Sequence, residues 1–167
     1  MDHLFSDFFL NFAQVAIGFV AFSTIAVVLR EMMGTPLDPY QTLLVRFVIE
    51  CGLTATGFAL GVVLLAIVGF TPPTLWRVAS GALGVFCFVY PIHYVKRRRR
   101  AKPGPIPPRA YIIFLLTMAI DAELWLNALT PIFHYSVGAY AIGLTWVLVQ
   151  AGIILLLTFG EFMKKAK

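Results

Sequence analysis

Five apolar stretches, residues 8–29, 40–70, 75–95, 110–133 and 137–160, leave this chain few folds to choose from. A hydrocarbon core about 30 Å thick is crossed by about 20 helical residues. Nothing in lipid can satisfy an unpaired backbone amide, so each stretch must close its own hydrogen bonds as an α-helix. The expectation is an all-α integral membrane bundle of five transmembrane helices. With 60% hydrophobic and 13% charged residues among 167, almost nothing remains for a folded domain outside the bilayer. Residues 1–167 therefore read as a single membrane domain. The opening segment Met1 to Asp7 carries two acids and no Lys or Arg, unlike a cleavable signal peptide, so the first helix is expected to persist in the mature protein.

Local signals punctuate the spans. Ser6 or Asp7 can cap the first helix and Arg30 closes it, while Asp38-Pro39 reads as a cap followed by proline in the first turn of the second. Thr71-Pro72-Pro73-Thr74 turns the chain into a third span with a kink expected at Pro91. A basic, Pro-rich connector, residues 96–109, separates spans three and four.

Charge orients the bundle. Short loops rich in Lys and Arg stay in the cytoplasm. Arg30, the run from Lys96 to Arg109 and the tail lysines 164, 165 and 167 all fall on one side of a five-span topology, whereas the other side holds only Arg77. The N-terminus is thus expected outside and the C-terminus in the cytoplasm. Lys96, Arg97, Arg98, Arg99, Arg100 and Lys102 are expected to contact anionic lipid, at about 1 kcal/mol per charge, rather than nucleic acid.

Ionisable groups deep in a span cost about 2.5 to 3.5 kcal/mol each and are functional candidates. Arg46 and Glu50 lie in span two, Asp121 and Glu123 in span four. At 1.5 Å of rise per residue, Arg46 is about 9 Å from the basic end, Glu50 about 15 Å, and the two span-four acids about 17 to 20 Å. Span four is informative because about eight to ten strongly apolar side chains gain about 4 to 5 kcal/mol against about 5 to 7 for its acids. That helix needs neighbours, neutralisation or water to stay in the membrane. Residues two apart on a helix point about 200° apart, so Asp121 and Glu123 face different surroundings.

Arg46 and Glu50, at i,i+4, can pair directly, with Asp121 as a third member if spans two and four touch. Such a cluster can fix helix register or prefer protons and cations over anions. Glu123, Asn127, Thr130 and His134 recur at i, i+4, i+7 and i+11, a polar stripe that Gln14 of span one could face. The stripe reads either as a hydrated half-pathway for protons or small cations, or as interhelical hydrogen bonding, with Thr130 closing the last turn before Pro131 and His134 interfacial.

The remaining signals are bland. Gly57 and Gly61, and Ala139 and Gly143, have the small-xxx-small spacing that brings helices close, read first as packing within one protomer. Trp76, Tyr111, Tyr135 and Tyr140 suit the membrane interfaces, and Trp125 and Trp146 the interior. Cys51 and Cys87 read as buried thiols rather than a disulfide or a metal site. There is no Walker loop, HExxH, CxxC or GxSxG, no Lys inside a span for a Schiff base, and no His pair placed to ligate haem across the core. No cofactor, metal or enzymatic activity is expected.

The first span, Phe12-Ala13-Gln14-Val15-Ala16-Ile17-Gly18-Phe19-Val20-Ala21-Phe22-Ser23, with Asn127-Ala128-Leu129 and Tyr140-Ala141-Ile142-Gly143-Leu144-Thr145-Trp146, resembles a loose group of small uncharacterised bacterial multipass inner-membrane proteins. An acid often stands in that group where this chain has Gln14. The resemblance covers about a third of the chain, implies a bacterial inner membrane and brings no activity with it. From the residues themselves, two functions are expected: an oligomeric channel or permeation-type protein using the midplane acids, or a non-transporting structural or assembly subunit of a larger membrane complex.

Overall fold

The computed structural model describes residues 3–32, 37–102, 108–130 and 136–165. They form five helices, α1 (His3–Met32), α2 (Pro39–Ile67), α3 (Pro72–Ala101), α4 (Pro108–Leu129) and α5 (Val137–Lys165). Each contains a segment of 20 to 30 residues within which an 18-residue stretch has a mean hydropathy between 1.5 and 2.2, long and apolar enough to cross a membrane. By helix length and hydropathy this is a multipass membrane protein.

Local chemistry sets the helix ends. Asp38 caps α2 through its Oδ1, which accepts from the Gln41 backbone N–H at 2.7 Å, while Gln41 Oε1 accepts from the Asp38 N–H at 3.2 Å. This reciprocal box, with Pro39 in the first turn, satisfies donors that the helix itself cannot. Helix α2 stops at Ile67, three residues before the boundary read from hydropathy, and Gly69 turns the chain at φ +94°. That left-handed backbone costs glycine little. Helix α3 runs on past Val95 through the basic run to Ala101, so residues 96–101 are helix rather than loop. Lys and Arg are good helix formers, and the next proline, Pro103, lies beyond that end. Pro91 sits inside α3 without ending it.

Helices α2, α3 and α5 pack on one another and form the centre; α1 lies against α2, and α4 against α3 and α5. Helices α1 and α4 thus flank the bundle on opposite sides and share no extensive contact. Two close approaches fix the flanks. A Cβ at Gly52 would sit 2.3 Å from Val20 Cγ2, and one at Gly143 would sit 2.8 to 3.1 Å from three Leu124 atoms, so only glycine lets α2 meet α1 and α5 meet α4 so closely. Gly57 and Gly61 have open space where a Cβ would be. Of the two small-residue pairs, only Ala139 and Gly143 is packed inside the protomer, and the Gly57–Gly61 face looks outward.

Away from the basic run, the bundle is closed by aromatics. Phe9 lies 6.0 Å from Trp76 and 5.7 Å from Tyr140 between ring centroids, joining α1, α3 and α5. The Tyr140 hydroxyl donates to the Phe58 carbonyl of α2 at 2.8 Å. Trp76 and Tyr140, assigned by sequence to the interface, are core residues, because each finds neighbours that cover its ring. Trp146 matches its interior assignment, its Nε1 donating to Thr117 Oγ1 of α4 at 3.1 Å. Tyr135 lies outside the described residues.

Candidate functional site: the intramembrane charges

Glu50 is held from two helices. Its Oε1 accepts from Arg46 Nε at 2.6 Å, one turn earlier on α2, and its Oε2 from the Tyr90 hydroxyl at 2.6 Å. Arg97 Nη1 bridges both carboxylate oxygens at 3.0 and 2.9 Å. The Arg46 pair was readable as i,i+4, whereas Tyr90 and Arg97 come from α3. Asp121 is not a member, since α4 does not pack extensively on α2. Arg97 takes part because α3 stays helical beyond Val95, which keeps it two turns from Tyr90 on the same face. Two guanidinium groups against one carboxylate remove any surplus negative charge here.

The acids of α4 have different surroundings, as their angular separation requires. Asp121 is buried at 5% exposure in the seam between α3 and α4, and its Oδ1 has no hydrogen-bond partner among the described residues. It faces Gly84, where an added Cβ would lie 3.5 Å from Asp121 Oδ1 and 3.3 Å from Trp125 Nε1. Glu123 lies at the edge of the bundle, half-buried, with no ion pair or hydrogen bond among the described residues. Its neighbours Ala119, Ala122 and Leu126 are exposed.

Asn127 is fully buried and wholly committed within the protomer. Its Nδ2 donates to Ser80 Oγ of α3 at 2.8 Å and to the Ser136 carbonyl at 3.0 Å, and its Oδ1 accepts from the Ser136 N–H at 2.8 Å. The side chain ties the end of α4 to α3 and to the start of α5. Ser80 is the partner that sequence reasoning missed; as a lone hydroxyl among small residues it gave no periodic signal. Thr130 Oγ1 donates to the Leu126 carbonyl of its own helix at 2.7 Å, closing the last turn. Arg77 Nε reaches the Ala128 carbonyl at 3.2 Å, where α4 runs out of backbone donors. Gln14 is exposed on α1, turned away from α4, and His134 lies outside the described residues. Glu123, Asn127 and Thr130 therefore line no shared channel inside one protomer.

The basic run is divided by its helical geometry. Lys96, Arg99 and Arg100 are exposed, Arg97 holds Glu50, Arg98 is buried at 5% exposure, and Lys102 Nζ lies 4.8 Å from the centre of the Tyr40 ring. Four of the six cations are thus exposed, Lys102 among them while it lies over the Tyr40 ring of α2, whereas Arg97 is held on Glu50 and Arg98 is buried. Cys51 and Cys87 are buried free thiols. Among the described residues no group of three or more His, Cys, Asp or Glu could hold a metal ion.

No protein-family model, curated protein or solved structure matches the chain.

Proposed function

We propose that the protein is an oligomeric permeation-type membrane protein for protons or small cations, without enzymatic activity, that uses the two acids of α4. The observation that carries this reading is the contrast between Glu50 and α4. Glu50 has two guanidinium partners, while Asp121 and Glu123 lie at mid-depth with no cation among the described residues. Acids at that depth require compensation, and a mobile cation or proton supplies it where the fold does not. Since Glu123 stands at the edge of the protomer and Asp121 in the α3–α4 seam, the part of the path that uses Glu123 belongs between protomers. The basic helix end and tail support a cytoplasmic C-terminus and an external N-terminus. The sequence resemblance supports a bacterial inner membrane.

A second reading is favoured by Asn127, whose closed network blocks the polar stripe inside the protomer. In that reading the protein is a non-transporting assembly subunit, and Glu123 pairs with a cation on a partner protein. Purified protein in liposomes separates the two. Permeation requires a pH- or cation-dependent flux that Glu123→Gln reduces several-fold while the variant stays folded. Liposomes that remain tight across pH and voltage overturn permeation and leave assembly.

A further inference from the structure

Two polar groups of this chain, one exposed and one half-buried, lie at one depth on opposite flanks of the bundle. Gln14 is six residues from the apolar start of span one at Phe8, about 9 Å down, hence about 21 Å from the other surface of a core about 30 Å thick. Glu123 is thirteen residues from the start of span four at Ala110, about 20 Å from that same surface. Copies of one chain insert with one orientation, so the two groups share a level in every copy. Gln14 is exposed and Glu123 half-buried, and neither has a partner among the described residues.

We infer that α1 of one copy docks against α4 of the next, with the Gln14 amide hydrogen-bonded to the Glu123 carboxyl group. This rests on the oligomeric part of the proposed function and not on transport. An amide both donates and accepts, so it satisfies a carboxylate or a protonated acid equally well. In hydrocarbon each group alone leaves polar atoms unsatisfied, and pairing relieves both at once. The flanking surfaces permit close approach. Gly18 and Ala21 are exposed beside Gln14, with open space around Gly18, and Ala119 and Ala122 are exposed beside Glu123. Small residues let helix backbones come together in lipid, where close van der Waals contact drives association.

The contact is head to tail, because the two surfaces differ and lie on opposite sides of the protomer. Repeated about an axis normal to the membrane, such contacts form a ring where the rotation divides a full turn. The committed partner is therefore a second copy of this chain, and Glu123 belongs to every joint of the ring.

Disulfide trapping in the full-length protein in membranes tests the joint. Gly18 and Ala119 lie at about 15 and 14 Å from the basic surface, close enough in level to be linked. Gly18→Cys and Ala119→Cys in one chain, oxidised with copper phenanthroline and dissolved oxygen, should give a ladder of linked species ending at the ring size. Either substitution alone should link no more than the unsubstituted chain with its native Cys51 and Cys87. Self-linking by Ala119→Cys alone would overturn the head-to-tail contact, as would the absence of a ladder when maleimide labels both new thiols. Independently, Gln14→Leu and Glu123→Leu should each weaken self-association about three-fold to about eighteen-fold, the double variant hardly further. Additive losses would refute the shared bond. A ladder from a chain that conducts nothing upholds the joint and ends the permeation reading; flux without a ladder does the reverse.

Discussion

Replacing Asn127 by Leu keeps the number and branching of the side-chain heavy atoms and removes three hydrogen bonds, those to Ser80 Oγ, the Ser136 carbonyl and the Ser136 N–H. Interhelical hydrogen bonds in membrane proteins average about 0.6 kcal/mol, with about 1.7 as the upper end, because the alternative state in lipid also finds partners. Three bonds therefore amount to about 2 kcal/mol, bounded near about 5. The loss should sit at the upper part of that range, since the Ser136 N–H belongs to a helix start with no intrahelical acceptor. The assay is equilibrium unfolding in mixed micelles, read by the fluorescence of the three tryptophans. Ser80→Ala completes a double-mutant cycle whose coupling should be about 0.6 to 1.7 kcal/mol. A destabilisation below about 0.5 kcal/mol, or coupling indistinguishable from zero, would show that the buried amide does not hold α3, α4 and α5 together.

Gly143→Ala should cost about 1 to 3 kcal/mol, because its Cβ would stand 2.8 to 3.1 Å from three atoms of the fully buried Leu124. Gly57→Ala and Gly61→Ala, with open space around both, should leave the unfolding midpoint of the protomer unchanged or raised, and a large loss at either would place an unseen neighbour there. Arg97→Ala should destabilise by about 1.5 kcal/mol by removing a charged donor to both Glu50 oxygens. Arg46→Ala should cost less, since that side chain is 61% exposed; the opposite order in unfolding experiments would mean that the local pair, not the link to α3, secures Glu50.

The parts of the site readable in advance are those that one helix decides alone. The Arg46–Glu50 pair follows from i,i+4 spacing, the α2 start from Asp38-Pro39, and the divergence of Asp121 from Glu123 from the helical pitch. Arg97 escaped because its place depends on α3 remaining helical into the basic run and then meeting α2. Ser80 escaped because a hydroxyl that donates or accepts anywhere has no spacing of its own.

Sequence by itself determined that this protein is five membrane-crossing helices, since hydrocarbon forbids unpaired backbone and length with hydropathy then suffices. Tertiary structure alone decided which glycines meet a neighbour, that Tyr140 is core, that Asn127 is sealed and that Glu123 stands at an edge. In water an amphipathic pattern shows which face of a helix turns inward. In lipid both faces are apolar, so facing is set by shape and by the partners of a few polar groups, and these exist only once the helices have come together.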